Sequence, residues 1–83
     1  MSDFREKLTL EDAYKKYEEA KQKILQSRQK ISEADQKLTE ALQMSAQKKK
    51  GEAYQLYEEV KALHAESRQL QAEANNLLDE ILS

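Results

Sequence analysis

The chain has 83 residues, 36% of them charged, with one glycine, no proline and no cysteine. That length allows one small domain with little material for a globular core, and the shortage of turn and strand formers points to long helices. Disulfides and thiolate metal sites are excluded. No long apolar run can cross a membrane, and Met1-Ser2-Asp3-Phe4-Arg5 lacks the apolar core of a signal peptide, so a cytoplasmic protein is the expectation.

The net charge of −2 hides an asymmetry. Residues 1–50 carry 12 Lys/Arg against 9 Asp/Glu, and residues 51–83 carry 2 against 7, giving halves of +3 and −5. Halves of opposite sign attract, which is a first hint that they pair.

In chain order, residues 1–8 read as a flexible arm or short helical turn, where Asp3 and Glu6 have capping-box spacing. The stronger start is Thr9-Leu10-Glu11-Asp12, a capping hydroxyl followed by two carboxylates that complement the helix dipole. From there to about residue 46 nothing breaks a helix. Its end is marked by Lys48-Lys49-Lys50, cations suited to a helix C-terminus, and by Gly51. Gly51 also serves as an N-cap for a second helix over about 52–82, with the turn at about 47–51. That helix runs to the chain end without a capping residue, as a segment of a longer protein would.

The two helices resemble each other. Laying residues 11–42 on 51–82, an offset of 40 without gaps, gives 14 identities in 32 positions. They include Ala13/Ala53, Tyr14/Tyr54, Tyr17/Tyr57 and Ser27-Arg28-Gln29/Ser67-Arg68-Gln69. The pattern reads as one duplicated helix whose copies pack on each other.

Heptads specify how. In the second helix Ala53, Val60, Ser67, Ala74 and Ile81 occupy position a, Leu56, Leu63, Leu70 and Leu77 position d, and Glu52, Glu59, Glu66, Glu73 and Glu80 position g. In the first, a holds Leu10, Tyr17, Ile24, Ile31 and Leu38, d holds Ala13, Ala20, Ser27, Ala34 and Ala41, and g holds Lys16, Lys23, Lys30 and Lys37. Lysines at g answer glutamates at g only when the helices run antiparallel, which a short connection also demands. Pairing residues whose numbers sum to 94 sets large against large (Leu38/Leu56, Ile31/Leu63, Ile24/Leu70, Tyr17/Leu77) and small against small (Ala41/Ala53, Ala34/Val60, Ser27/Ser67, Ala20/Ala74). The expected fold is all-α: an antiparallel two-helix coiled-coil hairpin, each helix roughly 50 Å long at 1.5 Å per residue. The competitor is one continuous helix, since a single glycine costs only about 1 kcal/mol.

About nine buried aliphatic or aromatic side chains make such a hairpin marginal alone. Tyr14 and Leu42 at position e of the first helix, and Tyr57 and Leu78 at e of the second, flank the seam on the side away from the charges. With Leu25, Tyr54 and Leu82 they leave apolar surface that a second hairpin can bury, giving a homodimeric four-helix bundle.

No catalytic constellation emerges. His64, the only histidine, sits at e beside the seam, spaced i, i+3 from Ser67 but with no third orienting group, and reads as an edge residue. No Glu-x-x-His motif builds a di-metal site, so no cofactor, metal or small-molecule substrate is expected. The expected function is protein–protein contact, as an adaptor, scaffolding element or small regulator, through Tyr14, Leu42, Tyr54, Tyr57 and Leu78. The alternative is a nucleic-acid-binding hairpin using Lys48, Lys49 and Lys50 at its tip, disfavoured by the net acidity and the lack of arginine–aromatic interleaving. A membrane-surface helix is disfavoured because the apolar stripe is used in the seam.

Overall fold

The computed structural model describes residues 9–83, so the reading of residues 1–8 as an arm with a capping box lies outside the described residues. Two helices, α1 (Leu10–Ala46) and α2 (Lys50–Leu82), pack side by side as a hairpin. One continuous helix is thereby excluded. No helix among the described residues is long and apolar enough to cross a membrane.

α1 starts where its capping signal lies. The Thr9 backbone is extended, and its Oγ1 accepts a hydrogen bond from the Asp12 N–H at 3.0 Å, satisfying one of the free donors of the first turn. Glu11 and Asp12 follow at the positive end of the helix dipole.

The turn departs from the sequence reading. Gly51 does not cap α1; it is already inside α2, which begins at Lys50, two residues earlier than the pattern suggested. The left-handed residue that closes α1 is Lys48, at φ 65°. Around it the Lys48 N–H donates to Ser45 O at 2.9 Å and the Lys49 N–H to Met44 O at 2.8 Å, the paired bonds of a Schellman cap. The connection is therefore only 47–49, too short to carry the reversal as far as Gly51. The lysines lie past the end of α1, and Lys49 caps α2 without a side-chain bond. At the other end Ser83, expected to leave α2 uncapped, donates its backbone N–H to Asp79 O at 2.9 Å and its hydroxyl to Glu80 O at 3.2 Å.

Pairing between the helices follows number order: Lys16 meets Glu80, Lys23 meets Glu73, Lys30 meets Glu66 and Lys37 meets Glu59, rising along α1 while falling along α2. At mid-length Ser27 Oγ and Ser67 Oγ lie 2.8 Å apart, both buried, one hydroxyl donating a hydrogen bond to the other.

The core differs from expectation in a way that matters. The buried residues are Ala20, Ser27, Ala34 and Ala41 from α1 and Ala53, Val60, Ser67 and Ala74 from α2, which is the small-against-small set. Among the described residues no large side chain is fully buried; Ser27 and Ser67 are the largest that are. Ile24, Ile31, Leu38, Leu56, Leu63, Leu70 and Leu77 are half-buried, and Tyr17 is 47% exposed, so the expected nine buried large residues are not there. Small side chains let the helix backbones close on each other, and the bulkier column on each helix is then pushed to the edge of the contact.

Candidate functional site

The seam divides the surface of the rod into two long flanks. On a heptad wheel position g borders one side of the seam and position e the other, so both g columns share one flank and both e columns share the opposite one.

The g flank is closed by charge. Its four interhelical ion pairs span 2.6 Å at Lys16–Glu80, 2.9 Å at Lys23–Glu73, 3.1 Å at Lys30–Glu66 and 2.9 Å at Lys37–Glu59. The lysines are held on both sides. The hydrogen bond to Glu80 raises the Lys16 pKa above the ordinary lysine value, aided by the charges of Glu80, Glu19 and Asp12. Lys37 is raised by its hydrogen bond to Glu59, with further charge from Glu59, Glu40 and Glu33. Glu73 is held below the usual carboxylate value first by a hydrogen bond donated by Gln69 and then by the bond and charge of Lys23. Every lysine of this column already has its anion, so none is left to recruit an external one.

The e flank is open. Tyr14, Leu42 and Tyr57, expected there from the heptads, are exposed, as is Tyr54 at the neighbouring position b, at 66%, while Leu78 is half-buried beside Tyr17. The structure separates these residues into two groups. Tyr14 and Leu78 lie at the open end, where the start of α1 meets the end of α2, and Leu42, Tyr54 and Tyr57 lie toward the turn. At the open end Leu10, Tyr14, Tyr17, Leu78, Ile81 and Leu82 wall an apolar groove of ≈ 410 Å³. Tyr17 and Leu78 also line the next depression, of ≈ 250 Å³, which continues along the rod with Ile24, Leu25, Lys21 and Arg28.

The sequence reading missed Leu10 and Tyr17 as surface residues, because their a positions assigned them to the core. It also missed the cations. Lys21 Nζ lies 6.0 Å from the centre of the Tyr17 ring, at the outer limit of a cation–π contact. Lys21, Arg28 and Arg68 make no ion pair among the described residues. A signal existed: Lys21 and Arg28 share position e with Tyr14 and Leu42.

Other features carry less. A surface depression of ≈ 640 Å³ is lined by Gln26, Gln29, Lys30, Ser32, Glu33 and Gln36, all from α1, so it is a valley between side chains of one helix. Lys48, Lys49 and Lys50 are exposed at the turn. His64 is half-buried at the seam edge. Among the described residues no three His, Cys, Asp or Glu side chains converge on a metal-sized site.

Compared with protein-family models, curated proteins and solved structures, the chain matches none. Its function therefore has to be read from the flanks themselves.

Proposed function

We propose that this chain is a non-catalytic antiparallel coiled-coil hairpin that works by protein–protein contact through its e flank. The observation that carries the reading is the combination of a core that, among the described residues, consists of Ala, Ser and Val with large apolar side chains left open along one flank. A hairpin whose leucines, isoleucines and tyrosines are half-exposed gains more by covering them than by folding alone. A second hairpin on this flank closes a four-helix bundle, and another protein's helix covers it equally well. Either occupant makes the chain an adaptor, a scaffolding element or a docking regulator.

The test is Tyr57→Ala with Leu78→Ala, followed by sedimentation and by capture of binding proteins from the host. Circular dichroism establishes that the variant remains helical. The expected result is loss of association with helicity kept. A wild-type monomer that captures nothing the variant fails to capture overturns the reading.

A further inference from the structure

The open-end groove has a chemical bias that narrows its occupant. Its walls are apolar over the stretch from Leu82 and Leu10 to Tyr17 and Leu78, and among the described residues no carboxylate lines it or the depression that continues it. Its inner end carries Lys21 and Arg28 instead, neither in an ion pair among the described residues. From Leu10 to Arg28 the groove follows α1 for about 27 Å at 1.5 Å per residue, the span of about 18 helical residues. At the open end both helices wall it, α2 through Leu78, Ile81 and Leu82, and further in it follows α1 past Leu78, so a docked helix can lie along it with apolar residues at i, i+3, i+4 and i+7.

Charge weighs a second copy against a different protein. Arg28 and Arg68 adjoin Ser27 and Ser67, which touch at mid-length, so the two arginines lie at one level of the rod. A second copy laid flush on this flank gathers both arginines of both chains at that level; laid antiparallel it brings Lys21 to Asp35, the acidic residue at position e, and leaves the arginines unmatched. The lysines of the g flank cannot be matched this way, since their glutamates are already engaged. A helix with carboxylates bordering its apolar stripe meets Lys21 and Arg28 without that repulsion.

We propose that the open-end groove, walled by Leu10, Tyr14, Tyr17, Leu78 and Leu82, docks an amphipathic helix of another protein whose acidic border meets Lys21 and Arg28. This rests on the protein-contact reading and names the class of partner. The partner's apolar residues fill the groove and give the affinity, and its carboxylates set direction and exclude basic helices.

The experiment titrates the full chain against two labelled 18-residue synthetic helices that share a leucine stripe, one bordered by glutamates and the other by lysines, and reads fluorescence anisotropy. The glutamate peptide is expected to bind at least about tenfold tighter, the preference shrinking as salt rises. Lys21→Glu with Arg28→Glu, both exposed positions, is expected to reverse the preference. Equal affinities, binding of neither peptide, or a single-stranded oligouridylate that binds in place of the peptides through the same two cations overturns the proposal. If the chain ignores both peptides yet self-associates through Tyr57 and Leu78, the acidic-helix partner is wrong and the protein-contact reading stands. If it does neither, both fall.

Discussion

On the g flank Lys16, Lys23, Lys30 and Lys37 each meet a glutamate within 3.1 Å, while on the e flank Lys21 and Arg28 make no ion pair among the described residues and Tyr14 and Leu42 stand open beside them, with Tyr54 and Arg68 at the neighbouring position b. Both flanks border the same seam, and both come from similar helices. The difference lies in where complementary residues were placed. One flank is saturated inside the chain and fixes which residues face which. The other leaves large apolar side chains open, with Lys21 and Arg28 beside them in no ion pair among the described residues. Internal structure and external contact are thus divided between the two sides of one contact.

The comparison holds only if the seam between the flanks stays closed, so the largest effect is expected from prying it open. Ala34 is fully buried, and Ala34→Leu forces a branched side chain into the small-residue seam. The expected cost is about 3 kcal/mol, at the upper end of overpacking effects, read from urea unfolding. Ala65 is exposed on the outer face of α2, and Ala65→Leu is expected to stay within about 0.5 kcal/mol. Equal costs at the two positions would mean that the flanks are not joined by a tight small-residue seam.

Next comes the Ser27–Ser67 pair at the level where the e-flank arginines gather. Ser27→Ala leaves the Ser67 hydroxyl buried without its partner and is expected to cost about 1–2 kcal/mol. Adding Ser67→Ala removes the orphaned group, so the double variant is expected to recover most of that loss. A double-mutant cycle checks it: additive losses would show that the hydroxyls do not depend on one another.

Much of this was legible beforehand, for a physical reason. Heptad columns report angular position on a helix, so the columns alone gave the lysine–glutamate pairs and the Ser27/Ser67 layer. They do not report how close the helices come. That distance is set by Ala20, Ala34, Ala41 and Ala74, whose small size draws the backbones together and leaves Tyr17 and Leu10 outside. Nor does a heptad show that Lys21 and Arg28 lack anions, since that depends on what the facing helix presents at the same level. The turn was misread because glycine is the usual left-handed residue, whereas here Lys48 takes that conformation.

The turn offers a smaller effect that leaves both flanks untouched. A lysine at φ 65° is strained by its Cβ, so Lys48→Gly is expected to stabilise the hairpin by about 0.5–1 kcal/mol after the entropy of the added glycine is counted. Gly51 lies in the first turn of α2, with nothing within 4 Å of an added Cβ, and Gly51→Ala is expected to gain at most about 1 kcal/mol. Thermal unfolding reads both. Peptide affinity at the e flank should not follow these gains, because neither residue faces the groove. An affinity that rises with stability would mean that the flank responds to how well the hairpin folds rather than to its own surface.

The smallest expected effect separates the flanks by their response to pH and salt. Glu73 has its pKa lowered in the fold from the usual 4.5, so its contribution is complete above that value and is lost as pH falls through the folded pKa. Lys16 and Lys37 have theirs raised from the usual 10.5, so their contribution is complete below that value and is lost as pH rises through the folded pKa. Stability should therefore be level through the neutral range and decline gently at both extremes, because exposed pairs are screened by water. Molar salt should flatten both declines, since it shortens the Debye length to about 3 Å, comparable with the ion-pair separations themselves. The apolar part of e-flank association should survive the same salt, while the preference for an acidic helix fades with it. Unfolding midpoints across pH at low and molar salt, measured beside peptide affinity, therefore test whether ion pairing acts only within the g flank and burial mainly at the e flank. If molar salt abolished e-flank binding outright, the open flank would be electrostatic in the same sense as the closed one, and the division between them would be wrong.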